Sequence, residues 1–187
     1  MAATARNQLL ARCVDHLQRT GFGDLSLREI AAGVGTSHRM LLYHFGSREG
    51  LLAAAVEYLE AQQRAVLADL AAEGDDLETA CRRFWLRISD PDLAPAERLF
   101  FEVYASALHR RPWTESFRRT VIAAWDEPLT ALFRRHGFGE TQARHRARLA
   151  LAAARGLLLD LLLTDDRAAV DAAGEWLVAA LAAAPDA

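Results

Sequence analysis

The run Thr36-Ser37-His38-Arg39-Met40, followed by Tyr43, His44 and Arg48, gathers hydroxyl, imidazole, guanidinium and phenol donors into one short stretch. Such donors suit acceptors that carry negative charge, which is what the phosphates and base edges of a duplex present. Arg39 has a planar fork able to span O6 and N7 of guanine, a pairing worth about 1–3 kcal/mol of discrimination. A phosphate contact, or an ion pair with Glu29, would use the same group equally well. Tyr43 and His44 reach far enough to donate to a backbone phosphate, although a lone His44 would read as a capping or core histidine. Arg28 and Arg48 extend the set, and Arg28 suits a plain solvated surface as well.

No other cluster offers chemistry. Cys13 and Cys81 lie in apolar helical patterns without motif spacing, and neither an HExxH pair nor a Gly-rich phosphate loop is present. The pairs Asp75-Asp76 and Asp165-Asp166 fall at helix boundaries, where acids cap. His136, Glu140 and His145 could be imagined around a metal, but Arg144, Arg146 and Arg148 would repel the cation. Neither an enzyme, a metal nor a cofactor is expected.

The elements that must hold the donor-rich stretch can be read from spacing. Leu10, Cys13, Val14 and Leu17 form one face of a helix over about 5–20, ended by Gly21 and Gly23. Ser26 and Glu29 stand three apart as a capping box, with Leu25 and Ile30 placed as a hydrophobic staple, so a short second helix starts there. Gly33 and Gly35 bracket a turn, and Thr36-Ser37 cap a third helix over about 38–44. Ala31 leaves room for close approach while Leu41 and Phe45 point inward. This is the layout of a helix-turn-helix, whose second helix enters a major groove.

At Ile30-Ala31, Gly35, Ser37, Leu41, Tyr43-His44-Phe45, Arg48-Glu49 and Leu51 the chain resembles the tetracycline-repressor (TetR) family of one-component transcriptional regulators. The resemblance covers about residues 5–55 and implies that Tyr43 and His44 touch phosphates and that Arg48 takes the place of a commonly basic residue. Arg39, Met40 and Leu42 depart from the family's usual residues there, which bears on the DNA sequence read rather than on the fold. The implied protein is a ligand-responsive repressor that occupies a palindromic operator as a homodimer. An activator of the same fold, or a helical small-molecule-binding or protein-binding module without DNA affinity, remain the alternatives.

The rest of the chain is helical by composition: Ala and Leu fill 67 of the 187 positions, whereas Val and Ile supply 11. All 22 basic residues are arginine. Residues 1–50 carry a net charge of +2 and residues 51–187 carry −5, so any polyanion is expected at the N-terminal end. The expected architecture is all-α, with a DNA-binding module at 1–47 and a ligand-sensing and dimerisation body at 48–187. Further helices are expected over about 48–73, 76–89, 95–109, 113–136, 140–164 and 167–184, with Pro128 kinking or dividing the fourth of these six.

Trp85, Phe101, Tyr104, Trp113 and Trp125 are candidates to line an effector site for a small apolar molecule, though aromatics at helical spacing also fill cores. Leu149, Leu151, Leu157, Leu158, Leu161 and Leu162 go nearly round their helix, as do apolar residues of the next, so residues 140–184 are expected to pair with a second copy. No run reaches the roughly 20 apolar residues of a membrane span, and reduced cysteines suit a cytoplasmic setting.

Overall fold

The computed structural model describes residues 2–21 and 25–183. These form ten α-helices: α1 (Ala2–Thr20), α2 (Leu27–Gly33), α3 (His38–Phe45), α4 (Arg48–Ala72), α5 (Leu77–Ile88), α6 (Ala94–Leu108), α7 (Glu115–Thr120), α8 (Ala123–Arg135), α9 (Glu140–Thr164) and α10 (Arg167–Ala182). Single 3-10 turns precede α6 and α7, and no strand occurs among the described residues. The all-α expectation holds; Gly23 and Ala184, named above as helix limits, lie outside the described residues.

The chain forms two compact units. The first takes in residues up to Ala61 together with Pro95–Thr120, and the second takes in Gln62–Ala94 together with residues from Val121 onward.

In the first unit, Leu10, Cys13, Val14 and Leu17 of α1 are buried as one face, and Leu27, Ile30 and Ala31 of α2 are buried with them. The start of α2 is set by the capping box: the Ser26 amide donates to Glu29 Oε2 at 2.7 Å, and the Glu29 amide donates to Ser26 Oγ at 3.3 Å. Through its hydroxyl and its amide, Ser26 holds the Glu29 carboxyl below its ordinary pKa. Gly35 then adopts φ +68°, a left-handed conformation that a residue with a Cβ resists, and the Thr36 amide returns to Ala31 O at 2.9 Å. Ser37 caps α3 by accepting from the Met40 amide at 3.2 Å.

The second unit packs Leu67, Leu77, Trp125, Leu129, Leu132, Phe133, Phe138, Ala143, Ala147 and Leu181 into one core. The acids at its helix boundaries do cap. Asp76 accepts from the Thr79 amide at 2.8 Å and Asp166 from the Ala169 amide at 3.1 Å, while Asp165 closes α9 in the left-handed conformation.

One expected element differs. The segment 113–136 is divided, but at Val121-Ile122 rather than at Pro128, which sits inside α8. Thr120, Val121 and Ile122 are three consecutive β-branched residues, each stiff at χ1 and poor in a helix, and they outweigh the single proline. The break frees the carbonyl of Val121, and Arg155 Nη2 donates to it at 2.7 Å.

Arginines satisfy other loose carbonyls in this unit. Arg146 lies over the Phe138 ring at 4.2 Å and donates to Ala180 O and Leu181 O at 3.3 Å and to Ala183 O at 3.1 Å, closing the end of α10. Arg167 donates to Ser89 O at the end of α5.

Candidate nucleic-acid interface

Helix α3 has two faces of opposite character. Leu41 and Phe45 are buried, whereas Arg39, Met40, Leu42 and Tyr43 are exposed, with 79% of Tyr43 open to solvent. Ser37 is exposed, and Thr36, His38 and His44 are half-buried. Of the sequence-predicted donors of α3, Arg39 and Tyr43 therefore stand open side by side, one helical turn apart, while His38 and His44 keep partial access. Arg28 stands exposed in the first turn of α2. A helix of eight residues, about 12 Å long, fits within a major groove roughly 12 Å wide and leaves its free face to the bases.

The end of α3 is built from aromatic contacts and backbone bonds. The Tyr43 and His44 rings meet edge to face at 4.9 Å, which restrains both. Arg6 of α1 lies over the Phe45 ring with Cζ 5.1 Å from its centroid, and its Nε approaches His44 O at 3.5 Å. The sequence offered no signal for this role of Arg6, because its acceptor is a backbone carbonyl. Leu42, an apolar residue on the donor face, was also not among the candidates. It offers contact to a thymine methyl group rather than a hydrogen bond.

The step from α3 to α4 is tight. Gly46 has φ +77°, the Ser47 amide donates to Phe45 O at 2.9 Å, and Ser47 Oγ accepts from the Gly50 amide at 3.0 Å. A Cβ placed on Gly50 would fall 2.1 Å from Phe45 O. Arg48, half-buried at the first position of α4, donates from Nε to Leu25 O at 2.7 Å.

The five aromatic candidates fall in both units. In the first, Phe101 and Tyr104 are half-buried and both flank Phe100, at 5.1 and 5.6 Å between ring centroids, and Trp113 is half-buried in the 3-10 turn before α7. In the second, Trp85 is buried with its Nε1 donating to Asp171 Oδ1 at 3.1 Å, and a Cβ on Gly174 would lie 3.1 Å from that nitrogen. Trp125 is buried between Phe84, at 6.0 Å, and Arg64, whose Cζ lies 5.6 Å from the ring.

Burial pushes the thiols of Cys13 and Cys81 up to about 11, so neither supplies a thiolate nucleophile at neutral pH. No group of His, Cys, Asp and Glu among the described residues could hold a metal, and no helix among them is long and apolar enough to cross a membrane.

On α9, exposure runs along His145, Leu149, Ala152, Gly156, Leu159 and Leu163, at alternating spacings of four and three. On α10 the exposed residues are alanines, Glu175, which pairs with Arg82 at 2.8 Å, and Trp176, which is 78% exposed. The leucines counted together in the sequence therefore divide: Leu158 is buried, Leu151, Leu157, Leu161 and Leu162 are half-buried, and Leu149 is exposed. Leu159 and Leu163 join Leu149 on the open stripe.

Comparison with known proteins places this geometry. Residues 9–55 match the family described as bacterial regulatory proteins, tetR family. The HTH-type transcriptional regulator BetI of Pseudomonas aeruginosa is 29% identical over 170 residues, covering 89% of this chain and 85% of that protein. A TetR-family transcriptional regulator from Pectobacterium atrosepticum shares the fold, with a TM-score of 0.71 at 20% identity over 98% of this chain and 97% of that one. The multidrug binding protein EbrR, solved in complex with proflavin, superposes with a TM-score of 0.65 at 25% identity over 94% of this chain and 98% of its own.

Proposed function

We propose, for a chain that belongs by its N-terminal module to the TetR family of bacterial regulatory proteins, that it represses its target genes as a homodimer on a palindromic operator. The chain is a DNA-binding transcriptional regulator and not an enzyme. The observation that carries the operator reading is the two-sidedness of α3, in which Leu41 and Phe45 are buried while Arg39, Met40, Leu42 and Tyr43 stand open. In this reading Arg39 contacts a base edge, and Thr36, Ser37, His38 and Met40 line the same groove. Tyr43 and His44 hold phosphates, and Arg28 reaches the backbone nearby. The functional boundary is proposed near residue 47, with sensing and pairing assigned to residues 48–187.

The exposed stripe on α9 supports pairing with a second copy, because a 4-3 alternation is the seam along which helices pack on one another. Together with the open side of α10 it presents Leu149, Leu159, Leu163 and Trp176, and Ala152 and Gly156 allow a partner to approach closely. Two copies would set two α3 helices at half-sites about 34–36 Å apart. For the effector we infer a small, largely apolar molecule. EbrR, solved with proflavin, is a relative that takes a planar aromatic compound. Phe101, Tyr104 and Trp113 retain accessible surface and are the residues we set against it, while Trp85 and Trp125 are buried within the second unit. The effector would act by favouring a dimer geometry whose half-site spacing no longer fits the operator. A cytoplasmic setting follows from this function.

The test compares Arg39→Ala and Tyr43→Phe on the protected genomic fragment over a salt series. Arg39→Ala should relax discrimination at one base position by about 1–3 kcal/mol, whereas Tyr43→Phe should weaken all DNA alike. Wild-type affinity for every sequence in both variants would contradict the assignment of α3 as the reading helix.

A further inference from the structure

Arg48 is fastened in a way that its charge alone would not require. Its Nε donates to the carbonyl of Leu25 at 2.7 Å, in a partly buried bond that spans 23 residues of sequence. Leu25 immediately precedes the Ser26 cap, so this carbonyl marks the entry to α2, while Arg48 is the first residue of α4. A guanidinium donor makes this a charge-assisted bond, stronger than a neutral pair and shielded in part from water.

The same turn of α4 also receives the end of α3. Phe45 O accepts from the Ser47 amide, and Gly50 approaches it so closely that a Cβ would not fit. The entry of α2 and the exit of α3 are therefore both tied to residues 47–50. The reading helix is short, so a small change in the angle between α2 and α4 moves Arg39, six residues from the end of α3, by a distance comparable to hydrogen-bond tolerance.

We propose that Arg48 is a positioning residue: through its Nε bond to Leu25 O it fixes the angle of α4 against α2 and so the aim of α3, and this, more than a phosphate contact, is its part in operator recognition. The inference rests on the operator reading given above.

The two roles ask for different chemistry. A phosphate contact needs a positive charge, whereas the Leu25 bond needs a donor at a set reach. Glutamine Nε2 is as many bonds from Cα as arginine Nε, so Arg48→Gln keeps the donor and loses the charge. Arg48→Lys keeps the charge and carries its donor one bond further, and Arg48→Ala lacks both.

Full-length wild type and the three variants are measured on the protected genomic fragment and on a random duplex of equal length across a salt series, with thermal unfolding of each. Arg48→Ala is expected to lose about tenfold in the ratio of operator to random affinity, with its random-DNA affinity and salt slope unchanged. Arg48→Gln is expected to stay within about twofold of wild type in that ratio. A salt slope lowered by about 0.9 per protomer, with Gln failing like Ala and Lys behaving as wild type, would assign Arg48 to a phosphate and overturn the proposal. A wild-type ratio in every variant, with only the unfolding temperature lowered in Ala, would reduce the bond to a stability contact and overturn it as well. A wild-type protein that fails to distinguish operator from random DNA would overturn the operator reading itself. Discrimination by wild type with Gln equal to Ala would sink the Arg48 proposal alone.

Discussion

Replacing Trp176 with glutamate is expected to turn a dimer into monomers at micromolar concentration and to remove most operator affinity. Trp176 leaves 78% of its surface open on the single chain, among the exposed Ala172, Ala173, Ala179 and Ala180, and the arginine near it, Arg82, is already paired with Glu175. An exposed tryptophan at the centre of a self-paired face is the type of residue that dominates association, worth about 2–4 kcal/mol, or roughly 30- to 1,000-fold in the dimer Kd. Glutamate would add the cost of burying an unpaired charge to that loss. The fold of one subunit should be little affected, because the side chain touches so little of it. Sedimentation at several concentrations beside thermal unfolding separates the two effects. An unchanged dimer mass would place the pairing surface elsewhere.

Gly50→Ala is expected to damage the reading head even though alanine favours helix. At an open helical site the exchange would stabilise by about 0.5–1 kcal/mol. Here the added Cβ falls 2.1 Å from Phe45 O, a backbone atom already engaged by the Ser47 amide, so relief requires the end of α3 to move. Overpacking of this kind costs about 1–3 kcal/mol, which exceeds the propensity gain. Lower thermal stability and loss of operator affinity should appear together. A more stable variant with full binding would mean that the α3–α4 junction has slack, and the coupling argued from it would fail.

The parts of this fold that could be read in the sequence are those that particular residue types mark at a fixed local spacing. The capping box at Ser26 and Glu29, the turn at Gly35 and the apolar face of α1 are of this kind, and each is present in the structure. The division at Val121-Ile122 was missed because a proline announces itself, while three β-branched residues act only in sum. Bonds from Arg6, Arg48, Arg146, Arg155 and Arg167 end on backbone carbonyls, which every residue possesses, so no residue type points to the acceptor. A chain whose basic residues are all arginine has planar, multi-donor groups available for such joints throughout. The aromatic candidates show the converse limit: spacing puts Trp85 and Phe101 on helices alike, but only packing distinguishes an indole engaged by Asp171 from a ring that keeps accessible surface.

Protection of genomic fragments by the purified protein is the most direct test of the whole account. It predicts a small set of protected sites, each with two inverted half-sites about one duplex turn apart and occupied by two copies of the chain. Uniform affinity for genomic and random DNA at every salt concentration, or a single protected half-site bound by one copy, would contradict it.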